Sequence, residues 1–256
     1  MAERPADDEG PGISAEPAAS RGQSGTAPPG LPAVLIDLDG TLVDTTGLWQ
    51  LAYHALADHL GVSLAEDWWD QVVGRSVAAS LRVVTGTDEL SSEAQAELER
   101  WLVDRAVQQL RTDGDGPPEM ATPAVRWRPG AEALLDALDA AGVPTAVVTT
   151  TPRRVLDAII ERLGIRTDTS VAGDEVAEGK PAPQGYLHAA ALLGVDSRGC
   201  VAIEDSPTGV AAAEAAGARV LVVPHTAEVP ATRYRRVVPN LVEVDLALLA
   251  ALPARA

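Results

Sequence analysis

Two aspartates two residues apart follow a short apolar run in the first fifth of the chain. The segment reads Ala33-Val34-Leu35-Ile36-Asp37-Leu38-Asp39-Gly40-Thr41-Leu42. Residues two apart in a strand point to the same side, so the carboxylates of Asp37 and Asp39 are predicted to share one crevice. Carboxylates in a crevice are unfavourable unless a cation or a reaction uses them. This stretch alone also fits a solvated acidic turn, and the rest of the sequence has to distinguish the two interpretations.

Three further apolar runs also end in polar residues. Thr149, Thr150 and Thr151 follow residues 145–148, and Pro152 after them fits the first turn of a helix. We expect Thr151 to be the N-cap of that helix, beside free N–H groups that suit a phosphate, although a plain capping cluster explains the same residues. Lys180 lies between a glycine and two prolines and is the only lysine, against 19 arginines.

Glu204 and Asp205 form a second acid pair, after the apolar run at residues 201–203. Taken alone, this pair also fits a turn. Carboxylate oxygens without histidine or cysteine suit Mg²⁺, and Mg²⁺ together with a lysine suits a phosphoryl group. The coincidence of four such strand ends favours a phosphate site over four unrelated turns.

These groups are positioned by a regular alternation of strands and helices after residue 129. Strands are predicted at 33–37, 144–149, 170–172, 200–204 and 219–223, with an edge strand at 241–244. Helices are predicted at 131–141, 152–163, 184–193, 208–216 and 246–252. The alternation is typical of an α/β fold with a doubly wound, Rossmann-like parallel sheet. In such sheets the ligand site lies beyond the carboxyl ends of the strands.

The segment between the first two strands is helical throughout. Apolar residues at helical spacing predict four helices between residues 45 and 126, which we interpret as an inserted cap domain. The predicted α/β core is then 31–44 and 127–256. Residues 1–30 are rich in Pro, Gly, Ala, Ser and acids and are predicted to be a disordered tail, and 112–118 a flexible loop.

Composition excludes several classes of protein. The net charge of −17 disfavours nucleic acid and anionic membranes as partners. No stretch is long and apolar enough to span a membrane, and the first residues do not resemble a secretory signal, so a cytoplasmic location and a monomer are the default expectations. The lone Cys200 excludes an internal disulfide, and the four histidines show no ligand spacing.

The order of these motifs resembles the haloacid dehalogenase (HAD) superfamily. The runs Gly179-Lys180-Pro181-Ala182-Pro183 and Ile203-Glu204-Asp205-Ser206-Pro207-Thr208-Gly209-Val210 are similar to its β-phosphoglucomutase-like branch, which carries a helical cap. The resemblance covers about residues 33–249. It implies a Mg²⁺-dependent enzyme that acts on a small phosphorylated metabolite.

The resemblance also implies a role for each motif residue. Asp37 attacks phosphorus and forms an aspartyl-phosphate, and Asp39 acts as general acid and then general base. Thr149, Thr150 and Lys180 hold the phosphate oxygens. Mg²⁺ is bound by Asp37, Asp205 and the backbone carbonyl of Asp39. Glu204 either binds the ion as well or contacts one of the residues that bind it. Members that cleave carbon–halogen or phosphonate bonds lack an acid at the position of Asp39, so phosphate esters are favoured.

The cap sequence favours a phosphatase over a mutase. The mutase pattern has a histidine where this chain has Trp49, and Asp44-Thr45-Thr46-Gly47-Leu48-Trp49 looks more like sugar-phosphate phosphatases. Trp49, Arg75 and Ser76 are candidate substrate contacts, although Trp49 also fits helix packing. A β-phosphoglucomutase-type mutase remains the first alternative, and a HAD-like protein that only binds its ligand is the second.

Overall fold

The computed structural model describes residues 28–87, 89–112, 125–225 and 227–254. The predicted disordered tail and the predicted loop at 112–118 lie almost entirely outside these ranges. At the start of the first range, the Gly30 carbonyl accepts a hydrogen bond from the buried guanidinium of Arg219. Within the described ranges, no helix combines the length and apolar character needed to cross a membrane.

A six-stranded sheet forms the centre of the protein, with the order β5–β4–β1–β6–β7–β8. Every neighbouring pair in it is parallel. Its strands are β1 (Val34–Ile36), β4 (Thr145–Val148), β5 (Thr169–Val171), β6 (Val201–Glu204), β7 (Arg219–Val222) and β8 (Arg235–Val237). The central β1 has β4 on one side and β6 on the other, so the chain changes direction across the sheet at β1. Ligands bind at such a switch point in open parallel sheets.

Both faces of the sheet are covered, which explains the continuous apolar runs in its strands. Val34 and Ile36 of β1 belong to one hydrophobic cluster, whereas Leu35 between them belongs to the other. The first cluster contains α5 (Ala131–Ala140), α6 (Arg153–Leu163) and α9 (Leu246–Ala250), and the second contains α7 (Gln184–Leu192) and α8 (Pro207–Ala215). The predicted doubly wound α/β core is therefore confirmed.

The predicted edge strand at residues 241–244 is wrong. The edge strand is β8, whose Arg235 pairs with Val220 of β7, and β8 carries two arginines in three residues. The Leu241 N–H donates instead to the Pro129 carbonyl, and the Leu241 backbone passes so close to Gly130 that no side chain would fit there. The apolar segment at 241–244 therefore packs against the start of α5 and does not pair with the sheet. The edge strand is instead the polar β8, which its apolar content does not reveal.

The described part of the insert between β1 and α5 contains four helices: α1 (Thr46–Leu60), α2 (Trp68–Val72), α3 (Val77–Thr85) and α4 (Ser92–Thr112). Two short antiparallel strands, β2 (Val43–Asp44) and β3 (Arg126–Trp127), frame them. The predicted boundary between residues 126 and 127 falls inside β3. Buried Leu48, Leu56 and Leu102 join the helices to the hydrophobic cluster of the core. The described part of the insert is helical, as predicted, and stands over the carboxyl end of β1.

Candidate active site

Lys180 joins the acids of two adjacent strand ends into one cluster. Its Nζ lies 2.6 Å from Asp37 Oδ1 and 2.6 Å from Glu204 Oε1. Asp37 directly follows β1. Glu204 is the last residue of the neighbouring β6, and Asp205 follows it. The Lys180 side chain is only 8% exposed, so these ion pairs are shielded from water. We call Asp37, Lys180, Glu204 and Asp205 the acid–lysine cluster.

The acid–lysine cluster holds more negative charge than Lys180 can balance. Carboxylate oxygens of Asp37, Glu204 and Asp205 all lie within 4.8 Å of one another. Burial, followed by the nearby carboxylates, raises the pKa of Asp37 to about 7, although the charge of Lys180 opposes this. Burial and the Asp37 charge likewise raise the pKa of Asp205 well above its usual value. Asp37 Oδ2 is buried and accepts no hydrogen bond from any residue in the described ranges. A hard divalent cation fits this excess of unpartnered carboxylate oxygen.

Glu204 is held rigidly within the acid–lysine cluster. It is fully buried and accepts hydrogen bonds from the Tyr186 hydroxyl at 2.6 Å, the Asp205 amide at 3.2 Å and the Ser206 hydroxyl at 3.3 Å. Gly209 on α8 lies against the same carboxylate, and a side chain there would clash with it. The charges of Asp37 and Glu204 raise the pKa of Lys180 despite its burial, so Lys180 stays protonated. The cluster is therefore preorganised.

Asp39 lies in a separate cage of hydrogen-bond donors. The Thr45 hydroxyl, at 2.6 Å, and Trp49 Nε1, at 3.3 Å, donate to Asp39 Oδ1 from the insert side. The Thr149 and Thr151 hydroxyls donate to Asp39 Oδ2 from the core side, at 2.7 Å and 2.8 Å. We call these four donors the Asp39 cage. Two aspartates from one short segment thus have different surroundings: Asp37 pairs with a cation, and Asp39 with neutral donors.

The threonines after β4 differ in part from the prediction. Thr151 is not the N-cap of α6; Pro152 occupies that position, without a side-chain capping bond. The first amide of α6, at Arg153, donates to Asp174 Oδ1 at 2.8 Å, so that N–H is not free. The Thr149 hydroxyl accepts from the Thr151 amide at 3.0 Å while donating to Asp39. Thr150 and Thr151 line the open cleft.

A cleft of about 790 Å³ separates the strand ends from the helical insert. Asp37, Asp39, Lys180 and Asp205 line its core side. Residues of α1 to α3 and the turns between them line the opposite side. We call the following apolar and aromatic set, together with Arg75, the cap wall: Trp49, Tyr53, Trp69, Val72, Val73 and Val77.

The three predicted substrate contacts of the insert are not placed alike. Trp49 and Arg75 both line the cleft, and Trp49 also belongs to the Asp39 cage. Ser76 is absent from the cleft lining; it is the N-cap of α3, where its hydroxyl accepts a hydrogen bond from the Ala79 amide at 3.3 Å. The geometry therefore gives Ser76 a helix-capping contact rather than a ligand contact.

Several residues of the site were missed by sequence reasoning. These are Tyr186 beside Glu204, Thr45 beside Asp39, and Tyr53, Trp69, Val72, Val77 and His225 in the cleft lining. Tyr186 carried a usable signal, since it is one of only three tyrosines and lies in the first turn of the helix after the Lys180 loop. The others carried none, because their positions depend on how the insert packs over the core.

Comparison with known proteins agrees with this geometry. The family model for haloacid dehalogenase-like hydrolases matches residues 31–217. Hexitol phosphatase A of Escherichia coli (strain K12) is 33% identical over 216 residues, covering 84% of this chain and 88% of that protein. Protein CbbY of Rhodobacter capsulatus is 32% identical over 211 residues, covering 76% and 86%.

A solved structure shares the same architecture. The crystal structure of CbbY from Rhodobacter sphaeroides in complex with phosphate has a TM-score of 0.73 and 28% identity, covering 86% of this chain and 99% of that one. The β-phosphoglucomutase of Clostridium difficile, at a TM-score of 0.70 and 20% identity, shows the same fold. From the family match and the relatives, this chain belongs to the haloacid dehalogenase-like hydrolases.

Proposed function

We propose that this hydrolase is a phosphatase that cleaves a small phosphate monoester through an aspartyl-phosphate on Asp37. One observation carries the proposal. Lys180 Nζ holds Asp37 Oδ1 at 2.6 Å, and Asp37 lines the cleft. The ion pair thus fixes the orientation of the Asp37 carboxylate toward a bound phosphate, while the buried Oδ2, which has no hydrogen-bond partner among the described residues, is the oxygen that we propose for Mg²⁺. Phosphatase-named relatives at 33% and 35% identity support the same reaction.

In the proposed reaction, two carboxylates divide the work. An oxygen of Asp37 attacks phosphorus, and the bond from phosphorus to the ester oxygen breaks. Asp39, in its protonated form, gives its proton to the departing alcohol. Asp39 then takes a proton from a water that attacks the aspartyl-phosphate, which releases phosphate and restores Asp37. The Asp39 cage supports this role, because its four side-chain donors hold the carboxylate in one orientation on the cleft.

The remaining core residues are proposed to stabilise the negative charge of the transferring group. Lys180 offers its ammonium to a phosphoryl oxygen beside Asp37, and Thr150 at the end of β4 is a further candidate because it lines the cleft. Thr149 supports the site through Asp39 instead, since its hydroxyl donates to Asp39 and its amide to the Val171 carbonyl. We propose that Asp37, Glu204, Asp205 and the Asp39 carbonyl hold Mg²⁺. That ion would neutralise charge on the phosphoryl oxygens when bound.

The alcohol that leaves is proposed to face the cap wall, with Trp49 and Arg75 as contacts. Relatives named for hexitol and phosphoglycolate support a small phosphorylated metabolite, such as a sugar phosphate, as the substrate. A mutase remains the alternative and would return an isomeric phosphate ester with little free phosphate. The predicted domain boundaries, cytoplasmic location and monomeric state stay predictions.

The decisive experiment measures phosphate release and the covalent intermediate together. Purified protein with Mg²⁺ is incubated with a panel of sugar, polyol and acid phosphates, quenched in acid, and examined by mass spectrometry. We expect free phosphate from at least one ester and a phosphoryl adduct on the peptide that contains Asp37.

The matched control is Asp37→Asn, which keeps the shape of the side chain and removes the nucleophile. We expect turnover in this variant to fall by at least about 10⁴-fold. A turnover within about ten-fold of the parent protein would contradict the nucleophile assignment. Isomerisation of a sugar phosphate without phosphate release would instead identify the mutase.

A further inference from the structure

The cap wall has few groups that accept hydrogen bonds. Besides its six apolar and aromatic residues and Arg75, the described insert contributes Thr45, Thr46 and Gly74 to the cleft lining. None of these residues carries a carboxylate or a carboxamide. A sugar or polyol presents several hydroxyls, each of which donates as well as accepts, and this side of the cleft offers them few side-chain acceptors. Among the described residues, the carboxylates that line this cleft belong to the core.

Trp49 and Tyr53 offer the cleft little polar surface. Trp49 Nε1 donates to Asp39, and the buried Tyr53 hydroxyl lies beside Ser80 inside the insert. Both rings therefore present mainly carbon to the cleft. Trp69 and Val72, from the same short helix α2, add further apolar surface. A wall of this kind favours a ligand that has an apolar or aromatic face.

Arg75 is the exception on the cap wall. It is exposed, lines the cleft, and makes no side-chain hydrogen bond or ion pair with any residue in the described ranges. Its backbone is fixed, since Gly74 before it has φ 72° and the Arg75 amide donates to the Val72 carbonyl at 3.1 Å. In a chain with a net charge of −17, an arginine without a carboxylate partner is available to a ligand. The guanidinium suits a planar carboxylate.

The number of cationic side chains in the described cleft lining indicates that the alcohol part of the ligand carries a single negative charge. Arg75 and Lys180 are the arginine and lysine of the described cleft lining, and Lys180 is bonded to Asp37 and Glu204 on the core side. One free guanidinium therefore faces whatever lies at the cap end of the cleft. A carboxylate needs one such partner, whereas a second phosphate carries more charge into an acidic protein.

We propose that the natural substrate is a phosphate monoester whose alcohol is hydroxyl-poor, with an apolar or aromatic face against the cap wall and one carboxylate against Arg75. This inference rests on the proposed phosphatase activity, because the ester is what brings the alcohol between Asp39 and the insert. It narrows the substrate class proposed above, because it predicts a preference against the polyhydroxylated sugar phosphates that the name of one relative indicates.

The test compares three phosphate esters of primary alcohols, so that the intrinsic reactivity of the leaving group differs little. They are para-carboxybenzyl phosphate, benzyl phosphate and a hexitol phosphate, each assayed by phosphate release with Mg²⁺. We expect kcat/KM to fall in that order, by at least about ten-fold between the first and the last. The preference of para-carboxybenzyl over benzyl phosphate should be expressed chiefly in KM.

Two variants connect the preference to particular residues. Arg75→Gln should reduce the advantage of para-carboxybenzyl over benzyl phosphate to within about two-fold, whereas Arg100→Gln, an exposed arginine on α4 outside the cleft, should preserve it. Val73→Asn places a carboxamide in the cap wall and should reduce the ratio of kcat/KM for benzyl phosphate to kcat/KM for the hexitol phosphate. Thermal unfolding of each variant checks that the protein still folds.

The outcomes separate this inference from the phosphatase proposal. A hexitol phosphate that is cleaved as fast as benzyl phosphate, or faster, overturns the inference and leaves the phosphatase standing. A carboxylate preference that survives Arg75→Gln overturns the assignment of that residue. No phosphate release from any ester, with Asp37→Asn indistinguishable from the parent, overturns both.

Discussion

The acid–lysine cluster and the cap wall face each other across one cleft and are built on opposite principles. The cluster packs three carboxylates and one ammonium together, with Lys180 at 2.6 Å from two of the acids. The cap wall is mainly carbon, with one arginine that has no described partner. Charge at fixed positions can stabilise a transferring phosphoryl group, whereas apolar surface discriminates by shape and by hydration.

The comparison separates the residues that we propose for the reaction from those that we propose for the choice of substrate. The three acids of the cluster come from the ends of the adjacent strands β1 and β6, and the sheet fixes their separation. Residues of the cap wall come from α1, from the short α2 and from the turn before α3, elements that contact the core through side chains rather than a sheet. We therefore expect changes in the cluster to affect kcat and stability strongly, and changes in the cap wall to affect the choice of substrate.

The largest effect on stability is expected from Lys180→Met. The substitution leaves Asp37 and Glu204 buried without their cation, which should lower the free energy of unfolding by about 3–5 kcal/mol. Turnover should fall by about 10²–10³-fold, because the ammonium no longer balances the phosphoryl charge. Denaturant unfolding and phosphate release measure the two effects.

Arg154→Met is the matched control for the loss of one cation. Arg154 lies 2.6 Å from Asp104, but both side chains are more than half exposed, at 61% and 62%. Exposed pairs contribute at most about 1 kcal/mol. Equal stability losses in the two variants would show that the buried ion pairs of Lys180 contribute no more than an exposed pair. That result would contradict the special role assigned to the acid–lysine cluster.

The carboxyl ends of the strands could be predicted from the sequence, because they depend on local signals. An apolar run followed by an acid or a threonine indicates where a buried strand meets solvent, and this located Asp37, Thr149, Glu204 and Asp205. The one lysine of the chain was likewise conspicuous. Because a parallel sheet brings such ends together, local patterns sufficed for the acid–lysine cluster.

The edge strand and the cap wall depend on contacts between segments that are distant in sequence. Apolar spacing favoured residues 241–244 as a strand, yet Leu241 seals the start of α5 and the polar β8 pairs with β7. Similarly, Thr151 meets Asp39 across 112 positions of sequence. A five-residue helix such as α2 has no periodicity that tells which face turns to a cleft. Tertiary packing decided all three.

A second prediction concerns the stability of the metal-free protein as a function of pH. Burial raises the pKa of Asp37 from 3.8 to about 7, so the folded chain binds this proton more tightly than the unfolded chain. Stability is then greatest on the acidic side and is lost as pH rises from about 4 through about 7. The loss should be on the order of 2 kcal/mol by thermal unfolding between about pH 5 and about pH 8.

Added Mg²⁺ sharpens this prediction, since it competes with protons for the same oxygens. It should raise the unfolding temperature more at about pH 8 than at about pH 5. Asp37→Asn removes this titrating group and should make the metal-free profile less steep, while Asp205, whose pKa burial also raises, remains. A variant profile as steep as that of the parent would place the titration elsewhere in the molecule.

Two buried tyrosines, one in each region, give a third prediction of intermediate size. The Tyr186 hydroxyl donates to Glu204 at 2.6 Å, whereas the Tyr53 hydroxyl bonds with Ser80 inside the insert. Each change to Phe should lower the free energy of unfolding by about 1 kcal/mol. Tyr186→Phe should also reduce kcat and the affinity for Mg²⁺, because Glu204 loses a donor that orients it. Tyr53→Phe should leave kcat, KM and the affinity for Mg²⁺ nearly unchanged, because the same ring carbons face the cleft.

Steady-state kinetics and titration of Mg²⁺ by calorimetry separate the two tyrosines. The comparison predicts that kcat and metal affinity depend on the Tyr186 hydroxyl, whereas the kinetic constants do not depend on the Tyr53 hydroxyl. If both variants lowered only stability, by similar amounts, neither hydroxyl would act on the site, and the two regions would differ less than their composition indicates.

The smallest effect is expected where the two regions are joined. Arg126 of β3 donates to Asp44 of β2 at 2.7 Å, across the short ribbon that connects insert and core. Partial burial would raise the pKa of Asp44, but hydrogen bonds from Arg126 and Thr46 lower it. The Arg126 side chain is 64% exposed, so water screens the pair.

Arg126→Gln should therefore lower the free energy of unfolding by no more than about 0.5 kcal/mol. The ribbon also lies next to Thr45 and the Asp39 cage, so the variant tests whether its ion pair matters for catalysis. We expect kcat to stay within about two-fold of the parent, because the backbone pairing of β2 with β3 and the Thr45 bond to Asp39 remain. A ten-fold loss of kcat at unchanged stability would instead mean that the exposed connection sets the position of the cap wall over the acid–lysine cluster, and that reaction and selection are coupled.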